Sequence, residues 1–222
     1  VGALLTAGVG AILLLSGLGD GLTHLSYDSP FAFRPALRPR DVVLVYLDEA
    51  SHKILDQPFN APWNRSLHAQ LVERLVADKA KAVVFDIVFS DPGPDPVADE
   101  RLRGAVKAHG SVILSGDYIL TKDAGGRSMR TLVPPLESLR NAAAGWGFAQ
   151  LPADSDSVIR RHFPATEELP GVAWAAAKLA GADVAQTDAP TAKDRWLNFY
   201  GPPGTIPGVS YHRALLADSV VP

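Results

Sequence analysis

Residues 1–19 contain no charged side chain, and this apolar stretch restricts the possible folds more than any other part of the sequence. Leucine, isoleucine and valine supply bulk on every side of a helix, and Asp20 ends the run. A membrane-spanning helix needs about 20 apolar residues, and its glycines are tolerated in lipid because water does not compete for the backbone. We therefore predict that residues 1–25 hold the C-terminal part of a transmembrane helix and its extension. A buried core helix and the end of a signal peptide are the alternatives.

A segment rich in proline and arginine follows the apolar stretch. Three arginines between residues 34 and 40 are spaced by Pro35 and Pro39, and proline favours an extended chain because its ring fixes φ. We predict a stiff juxtamembrane connector over residues 26–40. Beyond Arg40, the apolar residues change from a helical pattern to short continuous runs. Residues 41–222 are therefore expected to form one folded domain.

Short apolar runs alternate with helical periodicity in this domain. The runs at 42–47 and 82–89 are rich in β-branched residues, as in strands that are buried on both faces. Apolar residues between the two runs recur at helical spacing from Trp63 onward. A second helix over 97–108 leads to a third strand at 112–114. Such units form parallel strand pairs, so we predict an α/β fold with a mostly parallel central sheet covered by helices and preceded by a transmembrane helix.

The remaining segments give weaker signals. The turn residues at 123–126 predict a hairpin. The acidic turn at 154–157 is followed by Arg160 and Arg161, and we expect one of these to point inward and the other outward on a solvated strand. Further strands are predicted near 147–149, 159–164 and 196–200, and further helices over 134–143, 172–180 and 211–217.

Composition and motifs exclude several classes of function. A formal net charge of −3 leaves no basic field for nucleic acid, and the absence of cysteine excludes thiolate metal sites and disulfides. The six histidines are scattered without metal-ligand spacing. The sequence has no phosphate-binding glycine loop and no Gly-x-Ser-x-Gly nucleophile elbow. We therefore expect no cofactor, no histidine metal centre and no binding of nucleic acid.

Acidic residues follow two of the predicted strands. Asp48 and Glu49 close the first strand, and Asp86 and Asp91 lie at and just beyond the end of the second. Ligands bind open parallel sheets in the crevice beyond these strand ends, and convergent carboxylates suit hard cations such as Mg²⁺ or Ca²⁺. Together with Arg65 at a helix start, these residues form the candidate ligand-binding site. The structural alternative is that the acids cap helices and that Arg65 bridges to Asp48 or Asp86.

Seven short motifs are distributed along the chain. They are DVVLVYLDEAS (41–51), PWNR (62–65), VVFDIVFS (83–90), DERL (99–102), SVIRR (157–161), NFYGP (198–202) and VSY (209–211). In this order they resemble the CHASE2 domain family, with Asn64 and Ser157 standing where that family commonly has proline and glycine. The resemblance implies an extracytoplasmic sensor domain of a bacterial membrane receptor, which signals to a cytoplasmic cyclase, histidine kinase or serine/threonine kinase.

The resemblance also implies a sensor and not an enzyme. We expect its stimulus to be a small molecule or a protein, and we expect the receptor to be a homodimer. The enzymatic alternative is a membrane-anchored, metal-dependent hydrolase that uses the same carboxylates around Mg²⁺. The other alternative is a purely structural dimerisation module.

Overall fold

The computed structural model describes residues 2–15, 18–123, 125–163, 165–166, 169–187 and 194–216. The chain divides into two compact units, one of Val1–Leu44 with Asn198–Gly208 and the other of Val45–Leu197 with Val209–Pro222. The helices are α1 (Gly2–Leu15), α2 (Leu18–Phe33), α3 (Glu49–Ile54), α4 (Arg65–Ala77), α5 (Pro96–His109), α6 (Glu137–Arg140), α7 (Val172–Ala180), α8 (Asp183–Thr187) and α9 (Tyr211–Leu216). The strands are β1 (Leu44–Tyr46), β2 (Val83–Phe85), β3 (Val112–Lys122), β4 (Ser128–Val133), β5 (Gly145–Phe148), β6 (Arg161–His162), β7 (Arg195–Trp196) and β8 (Gly208–Ser210).

The first unit is built on helices α1 and α2. Among the described residues, no helix combines the length and the apolar character that crossing a membrane requires. Helix α2 continues to Phe33, so residues 26–33, which were expected in the connector, are helical instead. Aromatic rings on α2 support this extension, because the ring centroids of Tyr27 and Phe31 lie 5.2 Å apart in an edge-to-face contact. The exposed large apolar side chains of α1 include Leu4, Leu5, Val9 and Ile12.

The main sheet of the second unit is organised around β3. The first half of β3 pairs in parallel with β2 and β5, and its second half pairs antiparallel with β4. The sheet is therefore mixed, and the prediction of a mostly parallel sheet is wrong. Strand β3 runs well beyond the expected residues 112–114 because a tight turn folds the chain back on itself. In that turn, Asp123 accepts the backbone N–H groups of Gly125 and Arg127 at 2.9 Å, and the predicted hairpin is confirmed.

The two apolar runs form strands, but these strands are not buried on both faces as predicted. In β1, which pairs with β8 outside the main sheet, Leu44 and Tyr46 are 37% and 47% exposed. In β2, Val83 and Phe85 point into the core, whereas Val84 is 44% exposed on the other face. Helix α7 packs over β3 and β5, and Val84 stays exposed.

Helices α4 and α5 pack against each other and enclose the core with the sheet. They confirm the helices predicted from Trp63 onward and over 97–108. Asn64 and Asp95 cap the two helix starts, each accepting a backbone N–H group at 2.9 Å. Gly110 ends α5 in the left-handed conformation, with φ of 70°. The core includes Leu71, Val72, Leu75, Leu102, Val106, Val112, Leu114 and Leu139.

The later helices and strands lie where the sequence predicts them, but some are shorter than predicted. The helix predicted over 172–180 is confirmed as α7, whereas the helix predicted over 134–143 shortens to α6. The strand predicted at 196–200 shortens to β7. The predicted helix end at 217, like the start of the apolar stretch at residue 1, lies outside the described residues.

Strand β5 and the start of α7 approach closely at a glycine. A Cβ atom placed on Gly147 would lie 2.6 Å from the carbonyl oxygen of Pro170 and 2.7 Å from the backbone nitrogen of Val172. These are backbone atoms, so they cannot rotate aside as a side chain would. Glycine is therefore required at this position for α7 to pack on the sheet.

Replacement of this glycine should measurably destabilise the domain. We expect Gly147→Ala to lower the free energy of unfolding by about 1–3 kcal/mol, because the new methyl group forces the two backbones apart. The matched control is Gly104→Ala on the exposed side of α5, where an added Cβ has nothing within 4 Å; there, alanine should stabilise by about 0.5–1 kcal/mol. Urea unfolding followed by circular dichroism measures both, and equal effects would contradict the close approach.

Candidate functional site

Asp48 holds the start of α3. Its Oδ1 accepts the backbone N–H of Ser51 at 2.9 Å and the Ser51 hydroxyl at 2.5 Å, and its Oδ2 accepts the hydroxyl of Ser210. The hydrogen bond from Ser210, followed by those from Ser51, lowers the pKa of Asp48 to about 2. The carboxylate is therefore charged at neutral pH and serves as a helix cap, which confirms the structural alternative for this residue.

Ser51 is fully buried and connects α3 to the start of α9. Its hydroxyl oxygen lies 3.0 Å from Nδ1 of His212 and accepts the backbone N–H of His212 at 3.1 Å. A serine hydroxyl has one donor and two acceptor positions. The donor is directed to Asp48, so both acceptor positions face His212, and Nδ1 is then the protonated nitrogen.

Serine, histidine and aspartate meet here in an order that does not suit nucleophilic catalysis. In a hydrolase triad, the serine proton goes to the histidine and the aspartate orients that histidine. Here the serine lies between the two, and Ser51 donates to the carboxylate of Asp48. The cluster therefore ties two helix starts together and does not activate a nucleophile.

Arg65 is buried at the first position of α4. Its Nη1 donates to Oδ1 of Asp99 at 2.8 Å, and its Nη2 donates to the backbone carbonyl of Asp91. The guanidinium carbon lies 5.4 Å from the ring centroid of Phe89. Asp99 stands in the first turn of α5, and its second oxygen accepts the backbone N–H of Gly93 at 2.8 Å. The pair thus joins two helix starts and the loop before α5.

The structure joins Arg65 to the backbone carbonyl of Asp91, but among the described residues it does not gather the four candidate acids into one cluster. The expected bridge from Arg65 to Asp48 or Asp86 is wrong, because Asp99 holds the guanidinium. Glu49 is exposed and pairs at 2.6 Å with the lysine one turn later, while Asp86 and Asp91 are exposed beyond β2. In the part of the chain that the structure describes, no three of these four acids place carboxylate oxygens within 4.8 Å of one another. The expected convergence of these carboxylates is therefore not seen among the described residues.

A buried histidine lies one turn after Arg65. The Nδ1 of His68 is 2.7 Å from the hydroxyl of Tyr211, and its ring packs edge-on against Phe85 and Phe89. Burial, assisted by the charge of Arg65, lowers the pKa of His68 from 6.5 to about 4. Burial also raises the pKa of Tyr211. Both groups are therefore neutral at physiological pH and form part of the core.

The acidic turn before β6 belongs to an ion-pair network that the sequence did not predict. Arg160 donates to Asp154 at 3.2 Å and to Asp156 at 2.8 Å, and Arg161 donates to Asp154 at 2.7 Å and to Asp194 at 2.6 Å. The alternation of the two arginines is confirmed, with Arg160 pointing inward. The expected solvated face is wrong, because the side chains of Arg160 and Asp154 are each 4% exposed. The spacing of four residues from Asp156 to Arg160 was the available signal.

Comparison with known proteins identifies one family. A family model described as the CHASE2 domain matches residues 3–222, essentially the whole chain. The match therefore extends over both compact units. No curated protein and no solved structure matches the chain.

Loss of the partner of Arg65 should destabilise the second unit. We expect Asp99→Asn to lower the free energy of unfolding by about 3 kcal/mol, because it leaves a buried charge without its counter-charge. The neighbouring Glu100→Gln serves as control: Glu100 pairs with Arg103 on the surface, so its loss should change stability little. Chemical denaturation at neutral pH compares the two variants, and a similar loss in both would show that the buried pair is not special.

The buried histidine should make stability depend on pH. Between pH 6.5 and about 4, the unfolded chain protonates His68 and the folded chain does not, so stability is complete above this window and decreases as the pH falls through it. The total effect is on the order of 3 kcal/mol. His68→Gln should remove most of this slope, leaving a part from His162, whose pKa burial also lowers.

The control for this pH experiment is Tyr211→Phe. This variant loses the tyrosine hydroxyl but keeps His68 buried. Its stability should therefore still decrease as the pH falls from 6.5 to about 4. Unfolding midpoints measured from pH 4 to pH 7 for the three proteins decide the matter. An unchanged slope in His68→Gln would show that another group is responsible.

Proposed function

Because this chain belongs to the CHASE2 domain family, whose members are receptor sensor domains and not catalytic domains, we propose that it is the extracytoplasmic sensor of a bacterial membrane receptor. The match over residues 3–222 is the observation that carries this proposal. The receptor binds a small-molecule or protein stimulus outside the cytoplasm. A homodimeric receptor stays a prediction.

The apolar N-terminal stretch supports an anchor in the membrane. Residues 1–19 carry no charge, and α1 exposes large apolar side chains. Exposed apolar surface is unfavourable in water in proportion to its area, and a contiguous patch of it marks a surface that contacts protein or lipid. In our proposal, the bilayer covers this surface and residues 1–25 form the end of a transmembrane helix with its extension.

The output of the receptor is a cytoplasmic enzyme in this proposal. A cyclase, a histidine kinase or a serine/threonine kinase would read the state of the sensor through membrane helices. Such coupling requires the stimulus to bind one of two receptor states more tightly than the other. A stimulus with equal affinity for both states would transmit nothing, however tightly it bound.

A stimulus that binds at the sheet edge would use only part of the candidate site. The carboxylate of Asp48 is held by two serines, and the guanidinium of Arg65 is held by Asp99 and the Asp91 carbonyl. Asp86 and Asp91 are exposed at this edge, and one oxygen of Asp91 accepts the hydroxyl of Ser90 at 2.7 Å. We propose that a cationic or hydrogen-bond-donating stimulus would bind there.

These 222 residues contain no cysteine, so a cysteine introduced into them tests on which side of the membrane they lie. We expect Ser128→Cys, at the exposed start of β4, to react with a membrane-impermeant maleimide in intact cells that express the full receptor. The matched control is Ser115→Cys, because Ser115 is 0% exposed and should react only after denaturation. Labelling of Ser128→Cys that requires cell lysis would refute the extracytoplasmic position.

A further inference from the structure

Strand β4 forms one edge of the main sheet in the second unit. Its inner side pairs with the second half of β3 over Ser128–Val133. Within the described parts of the chain, no backbone hydrogen bond joins the outer side of β4 to another element. An edge strand with free N–H and C=O groups is a template for a further strand. The outer side of β4 is therefore a surface on which another extended segment can pair.

The turn before β4 determines which of its backbone groups point outward. Asp123 donates its backbone N–H to the carbonyl of Arg127 at 3.0 Å, so these two residues form a hydrogen-bonded pair of the hairpin. Hydrogen-bonded and non-hydrogen-bonded pairs alternate along antiparallel strands. The backbone groups of the odd-numbered residues of β4 therefore face β3. The even-numbered residues direct theirs outward, and these are Ser128, Arg130 and Leu132.

The charged side chain of Arg130 is turned away from this edge. Edge strands commonly use charged side chains to prevent pairing with another chain. The guanidinium carbon of Arg130 instead lies 4.5 Å from the ring centroid of Tyr118 in β3, and its Nη2 donates to Gln150 at 3.0 Å. Gln150 in turn donates to the carbonyl of Tyr118, which points away from β4 because Tyr118 pairs with the outward-facing Leu132. The outer edge of β4 therefore lacks the blocking charge that Arg130 could supply.

Apolar side chains are exposed next to this edge. Met129, Thr131 and Val133 share one face of β4, because side chains alternate along a strand. Met129 is 55% exposed, and Ile119 of β3, which lies opposite Thr131 on the same face, is 47% exposed. A strand added beside β4 would place its own side chains against this face and cover part of the exposed apolar surface, which is favourable.

Strand β4 is complementary to itself in one antiparallel register. A two-fold axis near the middle of the strand uses its whole length, so the axis lies at Arg130 or at Thr131. With the axis at Arg130, the arginines of the two copies are directly opposite each other, and such like-charge pairs are destabilising. With the axis at Thr131, the two threonines are opposite each other and Met129 meets Val133. The outward backbone groups of Arg130 then exchange hydrogen bonds with those of Leu132.

We propose that the outer edge of β4 pairs with β4 of a second copy of this chain, antiparallel and with the two-fold axis at Thr131. The pairing joins two main sheets into one, and it closes at two copies because each edge is used once. The proposal rests on the homodimer predicted for the receptor and names its contact. Maleimide labelling of Ser128→Cys reports the side of the membrane, whereas crosslinking at Thr131 reports the contact, so the two proposals fail separately.

A single introduced cysteine tests the position of the two-fold axis. Thr131→Cys places two thiols in a non-hydrogen-bonded pair, whose Cα atoms are about 4.5 Å apart and within reach of a disulfide. Met129→Cys lies two residues from the axis, so its two Cα atoms are separated by about 14 Å. Thr121→Cys is the matched control on β3, because Thr121 and Thr131 share one hydrogen bond at 2.7 Å and each variant loses it.

The measurement is the rate at which disulfide-linked dimers form during mild oxidation of the full chain in dodecyl maltoside micelles, followed by non-reducing electrophoresis. One strand pair is a small contact, and covalent trapping detects it even when it is short-lived. We expect Thr131→Cys to crosslink about tenfold faster than Met129→Cys and Thr121→Cys, because only its thiols meet at the axis. A rate for Thr131→Cys that is no higher than that of either control overturns the proposal.

A proline at an outward-facing position separates strand pairing from side-chain contacts. Arg130→Pro removes an N–H group that faces outward, and proline is tolerated at such positions of edge strands. Arg130→Ala removes the same side chain but keeps the N–H group. With Thr131→Cys present, we expect proline to slow crosslinking and alanine to preserve it, and equal rates would overturn the strand pairing. Thermal unfolding checks the fold of both variants; if the proline variant does not fold, the comparison of the three cysteine variants decides.

Discussion

The packing of the second unit depends on how the buried charge of Arg65 is neutralised. A guanidinium that is only 6% exposed is unfavourable in a protein interior unless it is paired and hydrogen-bonded. Its partners come from two places, the carboxylate of Asp99 in the first turn of α5 and the carbonyl of Asp91 in the loop before it. Helices α4 and α5 can therefore pack only where their two starts lie side by side. The apolar core between α4 and α5 forms with the two helix starts in this side-by-side arrangement.

Two other polar clusters follow the same principle, because in each a carboxylate is held by hydrogen bonds from nearby side chains. Asp48 and Ser51 bind the starts of α3 and α9 to each other. Arg160 anchors the acidic turn through Asp154, and both of these side chains are buried. Carboxylates that satisfy helix starts and arginines have few lone pairs left for a ligand. The exposed Asp86, just beyond β2, lies outside these clusters.

Local signals in the sequence predicted most elements, and long-range contacts explain the errors. Helices α4, α5 and α7 follow from periodicity and caps that lie within a few residues. The burial of the two apolar runs could not be judged from the runs themselves, because the elements that cover a strand are distant in sequence. The partner of Arg65 lies 34 residues away, and the partner of Ser51 in α9 lies 161 residues away, where spacing carries no information. Ser157, noted as a departure from the family pattern, adopts φ of 66°, the left-handed conformation that glycine favours.

The glycine contact between β5 and α7 also determines how motion can spread through the domain. Side chains at an ordinary helix–sheet contact change rotamer and absorb small displacements. At Gly147 the two main chains touch directly, so nothing there can absorb a shift. A sliding of α7 must drag β5 with it, and β5 is hydrogen-bonded to β3. Because β3 continues into the hairpin with β4, an unbroken series of backbone contacts leads from α7 through β5 and β3 to the far end of the longest strand.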